Sequence, residues 1–164
     1  MFRAGIITVS DKGAQGQRED LSGPAIAEML AGTAFSITRT VIVPDEIGQI
    51  ADAIIEFADR ERLDLILTTG GTGVSPRDLT PEATLRVLDK EIPGMAEAMR
   101  YSGMMVTPHA MLSRAVAGVR GNSLIINLPG SPKGATENLA AIMPSLSHAI
   151  SKIQGDQSDC AAPV

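Results

Sequence analysis

The chain has 164 residues, of which 44% are hydrophobic and 20% are charged, which is enough sequence for one domain with its own core. Only 2% of the residues are aromatic and 19 acidic residues outnumber 14 basic ones, so we exclude a base-stacking surface and expect no nucleic-acid partner. A single cysteine excludes an intrachain disulfide, and no apolar run reaches the ~20 residues of a membrane span, so we expect a cytoplasmic protein with no membrane partner.

Strands and helices alternate along the chain. Segments rich in β-branched residues predict strands at 5–10, 35–43, 63–68 and 123–128. Apolar residues at helical spacing and helix start signals predict helices at 22–31, 46–60, 81–88, 95–102 and 133–154. This order predicts an α/β domain over residues 1–155, with a mainly parallel sheet covered on both faces and a flexible tail at 156–164. A short run at 115–119 predicts an antiparallel hairpin that makes the sheet mixed.

Four loops follow the predicted strands. In open α/β sheets, ligands bind at the carboxyl ends of the strands, so we expect these loops to share one rim. The loops contain Ser10 and Asp11, residues 44–46, residues 69–73, and residues 127–132.

Residues 69–73, here called the glycine loop, have the sequence Thr-Gly-Gly-Thr-Gly. Glycine tolerates positive φ, so several consecutive N–H groups can turn toward one anion such as a phosphate. A tight strand-to-helix connection in which the glycines only allow close packing explains the same sequence. The loop lacks the Gly-Lys-Ser/Thr ending of a P-loop and the spacing of a dinucleotide fingerprint.

A second candidate anion site begins the last helix. Ser131 suits a helix N-cap and Pro132 the first helical turn, so Gly130 and Ser131 would face a phosphate at the positive end of the helix dipole. Lys133 would add charge there. Ordinary helix capping is the alternative.

Asp45 and Asp78 each lie in a loop that follows a predicted strand. Two phosphorylated ligands repel each other, and Mg²⁺ held by one or two carboxylates relieves that repulsion, so both acids are candidate metal ligands. Asp45 could instead cap the helix at 46–60, and Asp78 could form a turn before Thr80.

Taken together, the loops resemble one family. The matching segments are Thr8-Val9-Ser10-Asp11, Ser22-Gly23-Pro24, Val43-Pro44-Asp45-Glu46, the run from Leu67 to Thr84, Leu112-Ser113-Arg114, and Asn127-Leu128-Pro129-Gly130-Ser131-Pro132. They are similar to the molybdopterin adenylyltransferases of molybdenum-cofactor biosynthesis, the Mog and MoaB type, which are related to the N-terminal domain of gephyrin. The likeness runs from about residue 5 to 155.

The resemblance implies a three-layer α/β/α fold of the molybdopterin-binding type. It implies a homotrimer that uses ATP and Mg²⁺ to transfer an adenylyl group to the terminal phosphate of molybdopterin, with release of pyrophosphate. A metal-insertion protein of the same pathway is the implied partner. Asp45 and Asp78 match the essential acids, and Ser113 matches a pterin-phosphate contact. The remaining expected binding residues are Ser10, Asp11, Gly70, Gly71, Thr72, Gly73, Ser75, Arg77, Asn127, Gly130 and Ser131. The alternative is a carrier or scaffold that binds molybdopterin without catalysis.

Overall fold

The computed structural model describes residues 1–157 and contains a six-stranded sheet. The expected tail at 156–164 lies, from residue 158 onward, outside the described residues. The strands are β1 (Phe2–Val9), β2 (Phe35–Val43), β3 (Leu65–Thr69), β4 (Lys90–Glu91), β5 (Ala117–Arg120) and β6 (Ser123–Leu128). Their spatial order is β2-β1-β3-β6-β5-β4. The first four strands in this order pair in parallel and the β6-β5-β4 edge is antiparallel, which confirms the predicted mixed sheet.

Six α-helices connect and follow these strands. They are α1 (Asp11–Ala14), α2 (Ser22–Leu30), α3 (Ile47–Ile55), α4 (Thr80–Leu85), α5 (Pro93–Met104) and α6 (Pro132–Ile153), and a 3-10 turn spans Pro108–Leu112. The sequence predicted all of them except α1 and the 3-10 turn. Neither of these two buries a residue, so neither leaves the apolar periodicity that predicts a helix. No helix in residues 1–157 is long and apolar enough to cross a membrane.

Two apolar cores lie on opposite faces of the sheet. Because successive side chains of a strand point to opposite faces, Leu65 and Leu67 of β3 pack with α2, α5 and α6, whereas Ile66 packs with α3 and α4. Helices therefore cover both faces, and the predicted three-layer α/β/α fold is confirmed.

The predicted helix at 46–60 divides into two parts. α3 ends at Ile55, and the next turn, Glu56–Arg60, is a π-helical turn. The wider turn brings Phe57 onto β1, where a Cβ at Gly5 would lie 2.6 Å from the ring, so the absence of a side chain at Gly5 permits this contact.

Candidate functional site

The loops converge where the chain changes direction across the sheet. β1 lies between β2 and β3 in the sheet. The chain therefore runs from β1 outward to β2 on one side, and then crosses to β3 on the other side of β1. At such a reversal of strand order, a crevice opens between the carboxyl ends of the two neighbouring strands, here β1 and β3. At this point Gly70, with φ +104°, passes so close to β1 that a Cβ would collide with the Val9 carbonyl oxygen. Gly70 therefore meets a backbone requirement that only glycine satisfies without strain.

The carbonyl groups of the glycine loop are bound on one side. Thr80 donates from its hydroxyl to the Gly70 oxygen at 2.8 Å and from its N–H to the Gly71 oxygen at 3.1 Å. Arg114 donates from its N–H to the Thr72 oxygen at 2.8 Å and from Nε to the Gly73 oxygen at 2.7 Å. Each carbonyl from 70 to 73 thus has a protein donor.

The opposite side of the same loop presents donors. In residues 1–157, the N–H groups of Gly71, Thr72, Gly73 and Val74 have no protein acceptor. A run of free N–H groups that point away from bound carbonyls can receive an anion. The geometry therefore has the donors that the sequence predicted for a phosphate site, while the Thr80 contacts show that the close-packing interpretation of these glycines also holds.

Asp45 and Asp11 join the ends of β2 and β1. The Asp11 N–H donates to Asp45 Oδ2 at 2.8 Å, and the Asp45 N–H donates to Asp11 Oδ1 at 3.0 Å. Arg77 donates from Nε and from its terminal nitrogen to the Asp11 carboxylate, at 2.6 and 3.0 Å, and also to Glu46 at 2.8 Å. Arg77 holds the pKa of Asp11 below its ordinary value. Three strand-end loops are thus linked by one charged network.

Burial raises the pKa of Asp45, and the charges of Asp11 and Asp78 raise it further, against the lowering effects of the Asp11 N–H and Arg77. Asp45 is not the cap of α3: Glu46 occupies that position, and its side chain makes no capping bond. A partly buried acid facing two other acids is in an environment that favours an added cation.

Asp78 approaches the glycine loop from the far side. Its Oδ2 accepts from the Ser75 N–H at 2.8 Å, and a Cβ at Gly73 would lie 2.8 Å from the same oxygen. Asp45 Oδ1 and Asp78 Oδ1 accept no hydrogen bond from residues 1–157. No group of three or more side chains that could hold a metal ion exists in that range. An ion held by Asp45 and Asp78 would therefore have to take the rest of its ligands from water or phosphate.

The start of α6 is where the sequence predicted a second anion site. The Ser131 hydroxyl accepts from the Gly134 N–H at 3.1 Å and caps the helix, with Pro132 in the first turn as predicted. Ser22 donates to the Gly130 oxygen at 2.7 Å, which fixes the loop before the helix. Helix capping therefore accounts for Ser131. Lys133 lies 3.9 Å from Glu137 on the exposed face of α6.

Two cavities lie on either side of the loop that precedes α6. The larger has a volume of about 290 Å³, and Thr72, Gly73, Ser113 and Ser131 are among its lining residues. The smaller, of about 90 Å³, is lined by residues that include Ser10, Arg18, Asp20, Ser22 and Gly130. Six of the expected binding residues line these spaces: Ser10 and Gly130 the smaller one, and Thr72, Gly73, Ser113 and Ser131 the larger one. The other six line neither: Asp11, Gly70, Gly71, Ser75, Arg77 and Asn127.

The position of Asn127 corrects one expectation. This residue was expected to line the ligand crevice, but it is 0% exposed. Its amide nitrogen donates to the hydroxyls of Thr68 and Thr84, both at 2.9 Å, and its oxygen accepts from the Val116 N–H at 3.2 Å. Asn127 lies within β6, below the rim, and its bonds join β6 to β3, to α4 and to the segment before β5.

The fold and the loops define a class: a three-layer α/β protein whose glycine loop has N–H groups without an acceptor in the described residues, beside partly buried acids. The family model described as "Probable molybdopterin binding domain" matches residues 5–148. The molybdopterin adenylyltransferase of Helicobacter pylori is 43% identical over 154 residues, which cover 93% of this chain and 88% of that protein. The crystal structure of the molybdopterin biosynthesis enzyme MoaB from Thermus thermophilus is 58% identical, with a TM-score of 0.91 over 95% of this chain and 98% of that one.

Gephyrin from Dictyostelium discoideum is 43% identical over 159 residues, which are 91% of this chain and 22% of that protein. The chain therefore belongs to the molybdopterin-binding family that includes the molybdopterin adenylyltransferases. The resemblance seen in the loop motifs is confirmed.

Proposed function

We propose that this protein transfers the adenylyl group of ATP to the terminal phosphate of molybdopterin. An oxygen of the molybdopterin phosphate forms a bond to the α-phosphorus of ATP, and the bond from that phosphorus to the bridging oxygen breaks, so that pyrophosphate leaves. The observation that carries the proposal is the run of N–H groups at Gly71, Thr72, Gly73 and Val74 beside two acids, of which neither the N–H groups nor one oxygen of each acid has a hydrogen-bond partner in residues 1–157. Relatives named molybdopterin adenylyltransferase that match along nearly the whole chain support it.

The two cavities support two phosphorylated ligands. We assign molybdopterin to the larger cavity, where Ser113 and Ser131 would donate to its phosphate, and the nucleotide to the side lined by Ser10 and Arg18. Their phosphates would meet between the glycine loop and the start of α6. Holding two reacting groups side by side supplies much of the rate enhancement that phosphoryl-type transfer requires.

In this proposal, Asp45 and Asp78 would hold Mg²⁺, and the bound ion would neutralise phosphate charge. The protein's own contribution is positional. The glycine loop directs N–H groups at one phosphate, Asp11 fixes the orientation of Asp45, and Arg77 supplies a cation that can exchange its carboxylate partners for phosphate oxygens.

A binding protein without catalysis is the second candidate function. The presence of both Asp45 and Asp78 favours the enzyme, because a carrier needs the glycine loop but not two acids facing the phosphates. Incubation of the purified protein with ATP, Mg²⁺ and molybdopterin separates the two. Pyrophosphate and adenylylated molybdopterin in equal amounts support the transferase, whereas molybdopterin binding without pyrophosphate supports the carrier.

We further propose a homotrimer in the cytoplasm that passes its product to a metal-insertion protein of the same pathway. This proposal rests on the resemblance to the molybdopterin adenylyltransferases. An exposed apolar surface, here called the methionine patch, is the surface we assign to contact between copies; it consists of Tyr101, Met104, Met105, Val106, Met111 and Leu112.

A further inference from the structure

Arg114 binds the glycine loop at several points. This residue lies between the 3-10 turn and β5, and its backbone N–H and Nε donate to the oxygens of Thr72 and Gly73. One terminal guanidinium nitrogen donates to the backbone carbonyl oxygen of Asp78 at 2.5 Å. The side chain therefore bridges residues 74–77 and connects Gly73, at the end of the glycine loop, to the backbone of Asp78.

Glu82 in the first turn of α4 holds the other side of this guanidinium. Both terminal nitrogens of Arg114 donate to its carboxylate, and the second of these bonds is 3.3 Å long. The bonds with Arg114 lower the pKa of Glu82. A bidentate pair fixes the plane of the guanidinium, and with it the direction of Nε toward Gly73.

We propose that Arg114 is a positioning residue for phosphate binding, with Glu82 as its anchor. By binding the carbonyls of Thr72 and Gly73, Arg114 turns the following N–H groups toward the crevice. By binding the Asp78 carbonyl, it fixes the backbone position from which the Asp78 side chain extends. This inference rests on the proposed function for the identity of the phosphate that is bound. Lysine keeps the charge but cannot reproduce donors in a rigid fork, so Arg114→Lys separates geometry from charge.

Arg120 provides a matched control at the opposite end of the sheet. It donates from two nitrogens to Asp59, at 2.9 and 2.6 Å, and from a third to the Val87 oxygen at 2.8 Å. Arg120→Lys thus removes the same kinds of bonds without touching the crevice. Both variants are measured well below their melting temperatures, by the shifts of the Gly71 and Gly73 amide resonances on titration with inorganic pyrophosphate, and by kcat and KM for molybdopterin.

We expect Arg114→Lys to weaken pyrophosphate binding by about tenfold or more, to raise KM and to lower kcat, and Arg120→Lys to leave all three unchanged. Glu82→Gln should give a smaller loss in the same direction, and it decides the matter if Arg114→Lys does not fold. Equal affinities for the two lysine variants would overturn the inference. If the wild-type protein binds pyrophosphate but releases none from ATP and molybdopterin, the proposed function fails, while the titration still decides the role of Arg114.

Discussion

At the residue scale, Asp45 lies at the carboxyl end of β2, partly withdrawn from water and close to Asp11 and Asp78. A raised folded-state pKa means that the ionised carboxylate destabilises the folded protein relative to the unfolded chain. The cost is absent below the unfolded value of about 4, grows as the pH rises, and is complete above the folded pKa. The Asp45 charge therefore does not stabilise the folded protein, which agrees with the proposed role of this carboxylate in holding a cation.

Asp45→Asn should melt at the same temperature as the wild type or higher at neutral pH, because the asparagine oxygen can still accept from the Asp11 N–H. The difference in melting temperature should shrink as the pH falls and should disappear well below about 4, where Asp45 is protonated in both states. Thermal melts across this pH range measure it. A variant that melts well below the wild type at neutral pH would contradict this account of the Asp45 charge.

Asp78→Asn should lower turnover by at least ~100-fold and leave folding and molybdopterin binding largely intact, because a neutral side chain no longer faces the transferring phosphate. The asparagine oxygen can still accept from Ser75, so the loop keeps its shape. Pyrophosphate release measures the effect. Asp52→Asn, which removes an exposed charge from α3, serves as the charge control. Near-normal turnover in Asp78→Asn would exclude a metal role for this residue.

The position of the acids on strand-end loops could be predicted from the sequence because each follows a strand in an α/β order, whereas the contacts of Arg114 and the burial of Asn127 could not. An asparagine at a strand end can lie on the rim or within the sheet, and only the pairing of β6 with β3 determines that Asn127 is buried. Arg114 acts through backbone carbonyls that are distant along the chain. The motif that contains it is visible in the sequence, but its partners are not.

At the scale of elements, the glycine loop combines a backbone requirement with a packing requirement. Gly71 has φ +63°, and a Cβ there would collide with the Thr80 hydroxyl and lie 3.1 Å from Asp45 Oδ1. A side chain at this position therefore disturbs the loop, the bond from Thr80 to Gly70, and the acid together.

Gly71→Ala should lose both stability and affinity for phosphorylated ligand, and Gly71→Val should lose more because branching at Cβ further disfavours positive φ. Gly32→Ala is the matched control, since Gly32 has φ +73° and open space around it, so only the backbone strain of about 1 kcal/mol remains. Calorimetric titration with molybdopterin and thermal melts measure the two effects. A large melting drop in Gly71→Ala with unchanged affinity would reject the phosphate-binding role of the loop.

Elements that end at clear turn residues were predicted best, and the shortest elements least. β2 and β6 have the predicted bounds because their runs of β-branched and apolar residues end at turn residues. β4 has two exposed residues and α1 has four residues with none buried, so their existence depends on neighbours rather than on local pattern.

At the scale of the whole molecule, most of the exposed large apolar residues in the described part of the chain belong to the methionine patch. Met105 is 76% exposed there, and Leu112 of the patch also lines the larger cavity. A second copy covering this surface would bury apolar area beside the proposed molybdopterin site, so we expect assembly and molybdopterin affinity to change together.

Met105→Lys should convert the trimer to a smaller species in sedimentation or light scattering, because a lysine charge in an apolar interface is costly to desolvate. Leu85→Lys is the control: Leu85 is 44% exposed on α4, which packs on the opposite face of the sheet, and the variant should keep the wild-type mass. A wild-type protein with monomer mass would remove the trimer proposal, and a trimeric Met105→Lys would remove the patch from the interface.

Because only the carbonyl groups of the glycine loop are hydrogen-bonded, the loop can be rigid although its amide protons are not protected from exchange with solvent. The amide protons from Gly71 to Val74 have no acceptor in the described part of the chain, yet the carbonyls between them accept hydrogen bonds from Thr80 and Arg114. In solvent deuterium these amides should exchange quickly although the loop barely moves, because exchange follows the absence of an acceptor rather than backbone motion. Bound phosphate would then slow their exchange without any folding step. Binding would carry little of the ordering entropy that a mobile phosphate loop loses.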